Sequence, residues 1–333
     1  MSYHLINRIG LYEDWIIQGA IMEKCFDRSA ADPEDYYETM CPHTTMRFCC
    51  PSHGLFINRK GLARNAKVKG VRVLTREESG THNQQARNGI YHYIDDILVY
   101  STEVRDVVFN RRMRVDFTTL SPDFMNNDGR GRYGENILTG FKNKFITDWT
   151  ASDETYVGVH SDVAYWNSYE GNAVCVSGIF DLTFKLPPVP SGTYEIRLGY
   201  TCGDERGVIQ VYLNNVPCGI PVDLRDGGWV SYIGWVEDTD DEEENTANDK
   251  AMHNRGYMKS IAGYHLENNA EKTLRSQSHI LRRILTTSYL SPDQDNFLRV
   301  RQCLKDPMKY WSFDYIELCP KSVYGSPEGE DIY

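Results

Sequence analysis

Strict two-residue alternation constrains this chain more than any other feature. In Thr193-Tyr-Glu-Ile-Arg-Leu-Gly-Tyr200, Tyr194, Ile196, Leu198 and Tyr200 share one face, and Glu195, Arg197 and Gly199 the other. Successive side chains of a strand point to opposite faces, so the pattern predicts a half-buried strand of an antiparallel sheet. Gly207-Val-Ile-Gln-Val-Tyr-Leu213 follows and ends on Asn214-Asn215, a pair that tolerates positive φ and predicts a hairpin turn. Phe297-Leu-Arg-Val-Arg301 and Ser312-Phe-Asp-Tyr-Ile-Glu-Leu318 are further strand-like runs. The C-terminal part of the chain is therefore expected to be all-β.

A length of 333 residues suits two or three domains. The 22 tyrosines favour a β-rich protein with amphipathic surfaces. A formal charge of −11 argues against nucleic-acid binding, which needs clustered cations to neutralise phosphates. The short basic clusters, Arg111-Arg112 with Arg114 and Arg282-Arg283, read as solvated faces. No window holds the roughly 18 apolar residues of a membrane helix, and Met1-Ser-Tyr-His-Leu-Ile-Asn-Arg8 is not a signal peptide. Nine cysteines form no small disulfide framework and read as buried thiols.

Nearer the N-terminus, helical spacing of Leu11, Trp15, Ile16, Ala20 and Ile21 predicts a helix over 9–25. A second helix is expected near Pro33, with Asp32 as cap and Glu34 and Asp35 in its first turn. Short strands are expected at 66–69 and 71–74. Asn88-Gly89 reads as a turn opening a strand in which Ile90, His92 and Ile94 alternate with Tyr91, Tyr93 and Asp95, with His92 a core histidine. Ser101 is placed to cap a helix carrying Val104, Val107 and Val108. Residues 124–134 have loop chemistry.

The order of the C-terminal strands resembles the galactose-binding-like jelly rolls, which include many carbohydrate-binding modules. Asn88, Gly89, His92, Ile94, Asp95 and Leu98 resemble the closing motif of a fasciclin domain, and Tyr3-His-Leu-Ile6 resembles a strand midway through one. That likeness covers only the second half of such a domain. It implies an N-terminal truncation, a sheet edge left unpaired, and the loss of a signal or lipoprotein sequence. With Asp314-Tyr-Ile-Glu-Leu-Cys-Pro-Lys-Ser-Val-Tyr324, 248–259 and 281–285, the whole is similar to fasciclin-containing surface lipoproteins of gut Bacteroidetes found beside outer-membrane importers. The resemblance implies an α+β partial fasciclin-like domain over 1–100, a connector over 101–136, an all-β galactose-binding-like jelly-roll sandwich over 137–320 and a polar tail over 321–333. It also implies a cell-surface, outer-membrane location.

Gly227-Gly-Trp-Val-Ser-Tyr-Ile-Gly-Trp235 sets Trp229, Tyr232 and Trp235 in a glycine-flanked segment, and Tyr165-Trp-Asn-Ser-Tyr169 is a second aromatic cluster. Flat rings stack on the C–H face of a sugar while a neighbouring amide or carboxylate fixes its hydroxyls. Trp166, Asn167, Tyr169, Trp229 and Tyr232 are thus the candidate ligand-binding set. The competing expectation, rings packed between two sheets, is assigned to Trp235 and Trp311. Asp314 is the position the final-strand motif nominates for a structural calcium; no other cofactor is expected. Cys41, His43, Cys49, Cys50 and His53 fit no standard zinc spacing. The acidic run 238–245 lacks EF-hand spacing and reads as a solvated loop.

Asp314 and Glu317, three apart in a strand, should face opposite ways and cannot form a hydrolytic carboxylate pair. No nucleophile elbow, zincin or phosphate-loop motif is present. The expectation is a non-catalytic surface protein, binding a polysaccharide through loop aromatics in support of nutrient uptake. The alternative is a docking or adhesion subunit whose partner is another outer-membrane protein.

Overall fold

Alternation governs the structure, a computed structural model that describes residues 1–12, 15, 34–49, 54–60, 68–127, 139–142, 146–161, 169, 172–261, 264–267, 270–306 and 309–326. The first strands are β1 (Glu34–Glu38), β2 (Thr45–Cys49), β3 (Leu55–Ile57), β4 (Val71–Val73), β5 (Gln84–Ala86) and β6 (Gly89–Tyr91). Next come β7 (Met113–Asp116), β8 (Thr139–Lys142), β9 (Thr150–Ala151), β10 (Thr155–Ser161), β11 (Asn172–Gly178), β12 (Asp181–Lys185), β13 (Gly192–Thr201) and β14 (Val208–Leu213). The series ends with β15 (Val216–Pro217), β16 (Val222–Asp223), β17 (Tyr257–Lys259), β18 (Tyr264–Glu267), β19 (Ala270–Thr273), β20 (Ile280–Leu290), β21 (Phe297–Gln302) and β22 (Tyr310–Pro320).

Two antiparallel sheets make a sandwich. The larger runs β17-β20-β13-β22-β11-β10-β8, with β7 also on β22; the smaller runs β15-β14-β21-β12-β9, with β16 on β14. Ile196, Leu198 and Phe313 of the larger sheet share one core with Leu182, Phe184, Val211, Leu298 and Val300 of the smaller. Trp311 is fully enclosed there, as its place in the last strand predicts. Asn214 and Asn215 both take positive φ (49° and 67°) at the expected hairpin turn. Gly178, the last residue of β11, has φ 85°, and a Cβ there would collide with the Glu154 carbonyl. Gly178→Ala is accordingly expected to cost about 1–3 kcal/mol, read as a shifted urea midpoint with an unchanged slope.

The central strand departs from expectation. Along β13 the polar side chains Glu195 and Arg197 are as buried as the apolar ones. The strand lies between β20 and β22, and its second face carries an ionic cluster instead of water. Arg114, Arg197 and Arg282, whose runs suggest solvated faces, are all buried around Glu317. The sandwich also begins earlier than residue 137, because Met113–Asp116 pairs with 315–318 inside the expected connector. Ahead of it Ser101 Oγ accepts from Val104 N (3.2 Å), the predicted cap of a helical turn through Val108.

The N-terminal region holds a four-stranded sheet, β1-β2-β3-β4, and the β5–β6 hairpin. One face of the sheet meets the sandwich: Tyr36 enters its core, Thr45 Oγ1 donates to Pro188 O (2.6 Å), and Lys185 pairs with Glu38 (2.8 Å). The other face, with Tyr37, Met46, Phe48, Leu55, Ile57 and Val73, forms a second core. Glu34 and Asp35 lie in a strand where a helix start is expected. Glu34 is buried against Arg47 (2.7 Å), and the Tyr36-Tyr37 pair spans both faces, so tertiary burial overrides the cap signal.

The expected unpaired edge is not seen in this sheet. Leu74 N donates to Tyr93 O (2.9 Å) and Asp95 N to Arg72 O (3.0 Å) beyond β4, and Met40 N donates to Leu5 O (2.8 Å) beside β1. The β5–β6 turn is Arg87-Asn88 with Gly89 already in the strand, one residue earlier than expected. That strand stops at Tyr91, short of the expected alternation through Asp95. His92 is half-buried, its Nε2 3.0 Å from Gly10 O. The helix expected over 9–25 falls mostly outside the described residues, as do 66–67 and most of 124–134.

Candidate functional site

After β16 the chain leaves the sandwich and is pinned at each step. Arg225 pairs with Asp223, Gly228 N donates to Ser278 O (2.6 Å), and Val230 N and Ile233 N donate back to Gly227 O and Val230 O (2.9 and 3.0 Å). Ile233 is fully buried and anchors the loop to the core. The glycines have a steric task. A Cβ on Gly227 would strike the Trp229 ring, and one on Gly228 would lie 2.7 Å from Trp235 Cγ. Gly234 takes φ 77° beside the Arg255 guanidinium, whose Nη1 donates to Ser231 O (3.2 Å).

The result is a firm loop with exposed rings. Trp229 is 59% and Tyr232 51% exposed. The Tyr232 hydroxyl donates to Asp226 Oδ2, and its ring lies 6.2 Å from that of buried Tyr257, over which Arg283 sits at 4.4 Å. Burial and the neighbouring Asp226 carboxylate raise the Tyr232 pKa, so the phenol stays neutral. The loop thus carries two exposed rings, with a carboxylate bonded to one of them, on a backbone held by hydrogen bonds.

An acid–base clamp supports it from beneath. Lys259 Nζ meets Asp238 (2.5 Å) and Asp249 (3.3 Å), and Arg275 Nε meets Asp238 (2.5 Å) while its Nη2 pairs with Asp249. Trp235 packs on the core, 5.9 Å from Lys259 Nζ. The acidic run 238–245 is solvated over 239–244 as expected but is not all loop, since a helix begins at Glu242. Asp238 joins the clamp, and Asp241 caps the Glu242–His253 helix through Glu243 N and Glu244 N (2.9 and 3.1 Å).

Of the candidate residues, Trp229 and Tyr232 are both exposed on one loop. Trp166 and Asn167 lie outside the described residues. Tyr169 is a correction: it is 1% exposed, its ring is edge-on to Tyr315 (5.4 Å), and it presents no face to a ligand. Its place beside Asn172 at the start of β11 turns it inward against the last strand. Asp226 and Arg255 were not singled out from the sequence; the signal for Asp226 is its position just before the paired glycines.

Asp314 is buried, and its Oδ1 accepts from Tyr169 N (2.8 Å). Burial raises its pKa well above the carboxylate range, and nearby Asp116 adds to the shift. Asp116 Oδ1 accepts from Thr118 N (2.7 Å) and Oγ1 (2.5 Å). Calcium takes six to eight oxygens. Among the described residues Asp116 is the one carboxylate set beside Asp314, and no group of three acidic, cysteine or histidine side chains forms. Among the described residues these two carboxylates fall short of the oxygens calcium takes.

The separation of Asp314 from Glu317 by alternation also fails. Tyr200 pairs with Phe313 and Gly199 with Tyr315, so Asp314 sits at a bulge, which breaks the two-residue period. Both carboxylates feel the charge of Arg114.

No protein-family model matches the chain, and no curated protein matches it. Several solved structures align with part of it. A family 35 carbohydrate-binding module from Clostridium thermocellum aligns over 55% of this chain and 97% of its own, at 10% identity and a TM-score of 0.25. A Paenibacillus xanthan lyase aligns over 57% of this chain and 14% of its own (12% identity, TM-score 0.26). An exo-β-1,3-galactanase from Phanerochaete chrysosporium aligns over 54% and 29% (10% identity, TM-score 0.26). This chain thus spans less than a third of either enzyme.

Proposed function

We infer that the protein is a non-catalytic glycan-binding protein and that its site is the loop surface bearing Trp229 and Tyr232. The observation that carries this reading is the pair of half-exposed rings on a backbone fixed by Gly228, Ile233 and Gly234. Large apolar rings left in water on a rigid loop are set up to cover the C–H face of a sugar. Asp226, Tyr232 and Arg255 offer an acceptor and donors at the rim for hydroxyl groups. The setting proposed is a cell surface, as the fasciclin-lipoprotein resemblance implies, in support of outer-membrane nutrient uptake.

Affinity electrophoresis of the full chain through gels containing plant, host or microbial polysaccharides tests this. One polysaccharide should retard the protein, and Trp229→Ala should weaken retardation by about 10-fold or more, with Tyr232→Ala next. Retardation that both substitutions leave intact would move the site elsewhere.

One observation favours docking on another protein instead. Val216 and Ile220, 65% and 75% exposed, stand with Pro217 and Pro221 at the tip beyond β14. Failure of every glycan, with Ile220→Ser abolishing capture by an outer-membrane partner, would favour that reading.

A further inference from the structure

A cavity of about 320 Å³ lies against the outward face of the four-stranded sheet, within the roughly 300–1,000 Å³ of small-molecule sites. Its floor is Met46 and Phe48 of β2, Ile57 of β3 and Val73 of β4, all buried. Alternation places all four on one face, away from the sandwich, so the sequence pattern itself generates an apolar floor. Ile90 and Ile94 contribute a wall. Leu5 and Tyr91 stand at the opening, 53% and 45% exposed.

Among the described residues, the basic side chains around this space are the Arg8 guanidinium and the His4 and His92 imidazoles, and no aspartate or glutamate lines it. Protein contacts hold these bases in place. Arg8 donates to Thr119 O and stacks 4.9 Å from the Tyr37 ring centre, His4 Nε2 accepts from Leu98 N (3.2 Å), and His92 Nε2 lies 3.0 Å from Gly10 O. Interiors pack to nearly crystalline density, so an apolar space of this size sacrifices many van der Waals contacts. A fixed cation beside an apolar wall selects for a ligand with an apolar body and an anionic head.

We propose that this cavity binds a small amphipathic anion, with an alkyl body on the β2–β4 floor and a carboxylate-like head beside His4, Arg8 and His92. The site belongs to the N-terminal sheet and is independent of the glycan reading.

The test is fluorescence titration of the full chain with anilinonaphthalene sulfonate, followed by displacement with decanoate, decanol or decyltrimethylammonium. Decanoate should displace the dye saturably at one site per chain, and the ammonium compound about 10-fold less well or worse. Ile90→Trp, which fills the cavity from a half-buried wall position, should weaken decanoate about 10-fold. Leu5→Asp, at an exposed position, places a negative charge at the opening and should weaken it likewise without disturbing the fold. Absence of displacement by any alkyl compound, preference for the cation, or wild-type affinity in both variants would overturn the proposal.

Discussion

Replacing Glu317 with glutamine is expected to cost the folded state about 3–5 kcal/mol, the usual effect of breaking a buried ion pair by removing one partner. Glu317 has no exposed side-chain surface. Arg197 Nη1 and Arg114 Nε lie 2.7 and 2.8 Å from its oxygens, with Arg282 and Arg112 at 3.4 and 3.5 Å. Glutamine keeps the shape and removes the charge, so the guanidiniums lose the anion at their centre. Burial alone would raise the Glu317 pKa, yet the surrounding arginines hold it well below the carboxylate range. The sign follows. A depressed folded pKa contributes stability above the unfolded value of about 4.3, and that contribution is lost as pH falls below it. Denaturation of wild type and Glu317→Gln from pH 3 to 7 should show a gap that is full at neutral pH and narrows below about pH 4. A gap independent of pH would show that the effect is packing and not charge.

This cluster also marks the boundary of what the chain discloses by pattern alone. The alternation in 193–200 identifies a strand and its apolar face correctly, because that face depends on local spacing. It misassigns the other face, because its partners lie far along the chain: Arg197 meets Glu317, which also gathers Arg112 and Arg114, and Glu195 meets Arg197 and His253. Nothing local distinguishes a buried arginine from a solvated one. Asn214-Asn215 and Ser101 were legible because a turn and a cap depend on their own few residues. The helix after Asp241 was legible in principle. An aspartate followed by Glu242, Glu243 and Glu244 is a cap with an acidic first turn, which the charge density disguised as a solvated loop.

The candidate site divides in the same way. The exposure of Trp229 and Tyr232 was readable because the glycines around them leave a ring little to pack against but its own backbone. Tyr169 also ends an aromatic cluster, without the paired glycines, and is buried, since its neighbour in space is the last strand, 145 residues on. The bulge at Asp314 was not readable at all, because it exists only in the pairing of β22 with β13.

Asp249→Ala is expected to weaken both the fold and the loop surface, and the two effects can be separated. Asp249 is buried between Lys259 and Arg275, whose side chains are 1% and 10% exposed. Removing it leaves both cations to Asp238 alone, a loss of about 3 kcal/mol. The clamp holds the far end of the segment that begins at Gly227, and Trp235 packs on Lys259. Loosening it therefore restores freedom to the rings at 229 and 232, which a ligand must then immobilise at the cost of affinity. Glycan affinity of Asp249→Ala should fall several-fold at a temperature where both variants are fully folded, while Glu317→Gln, at least as damaging to stability, should bind as wild type under the same condition. Equal loss in both variants would trace the effect to global stability; loss confined to Asp249→Ala would identify the clamp as the element that presents Trp229 and Tyr232.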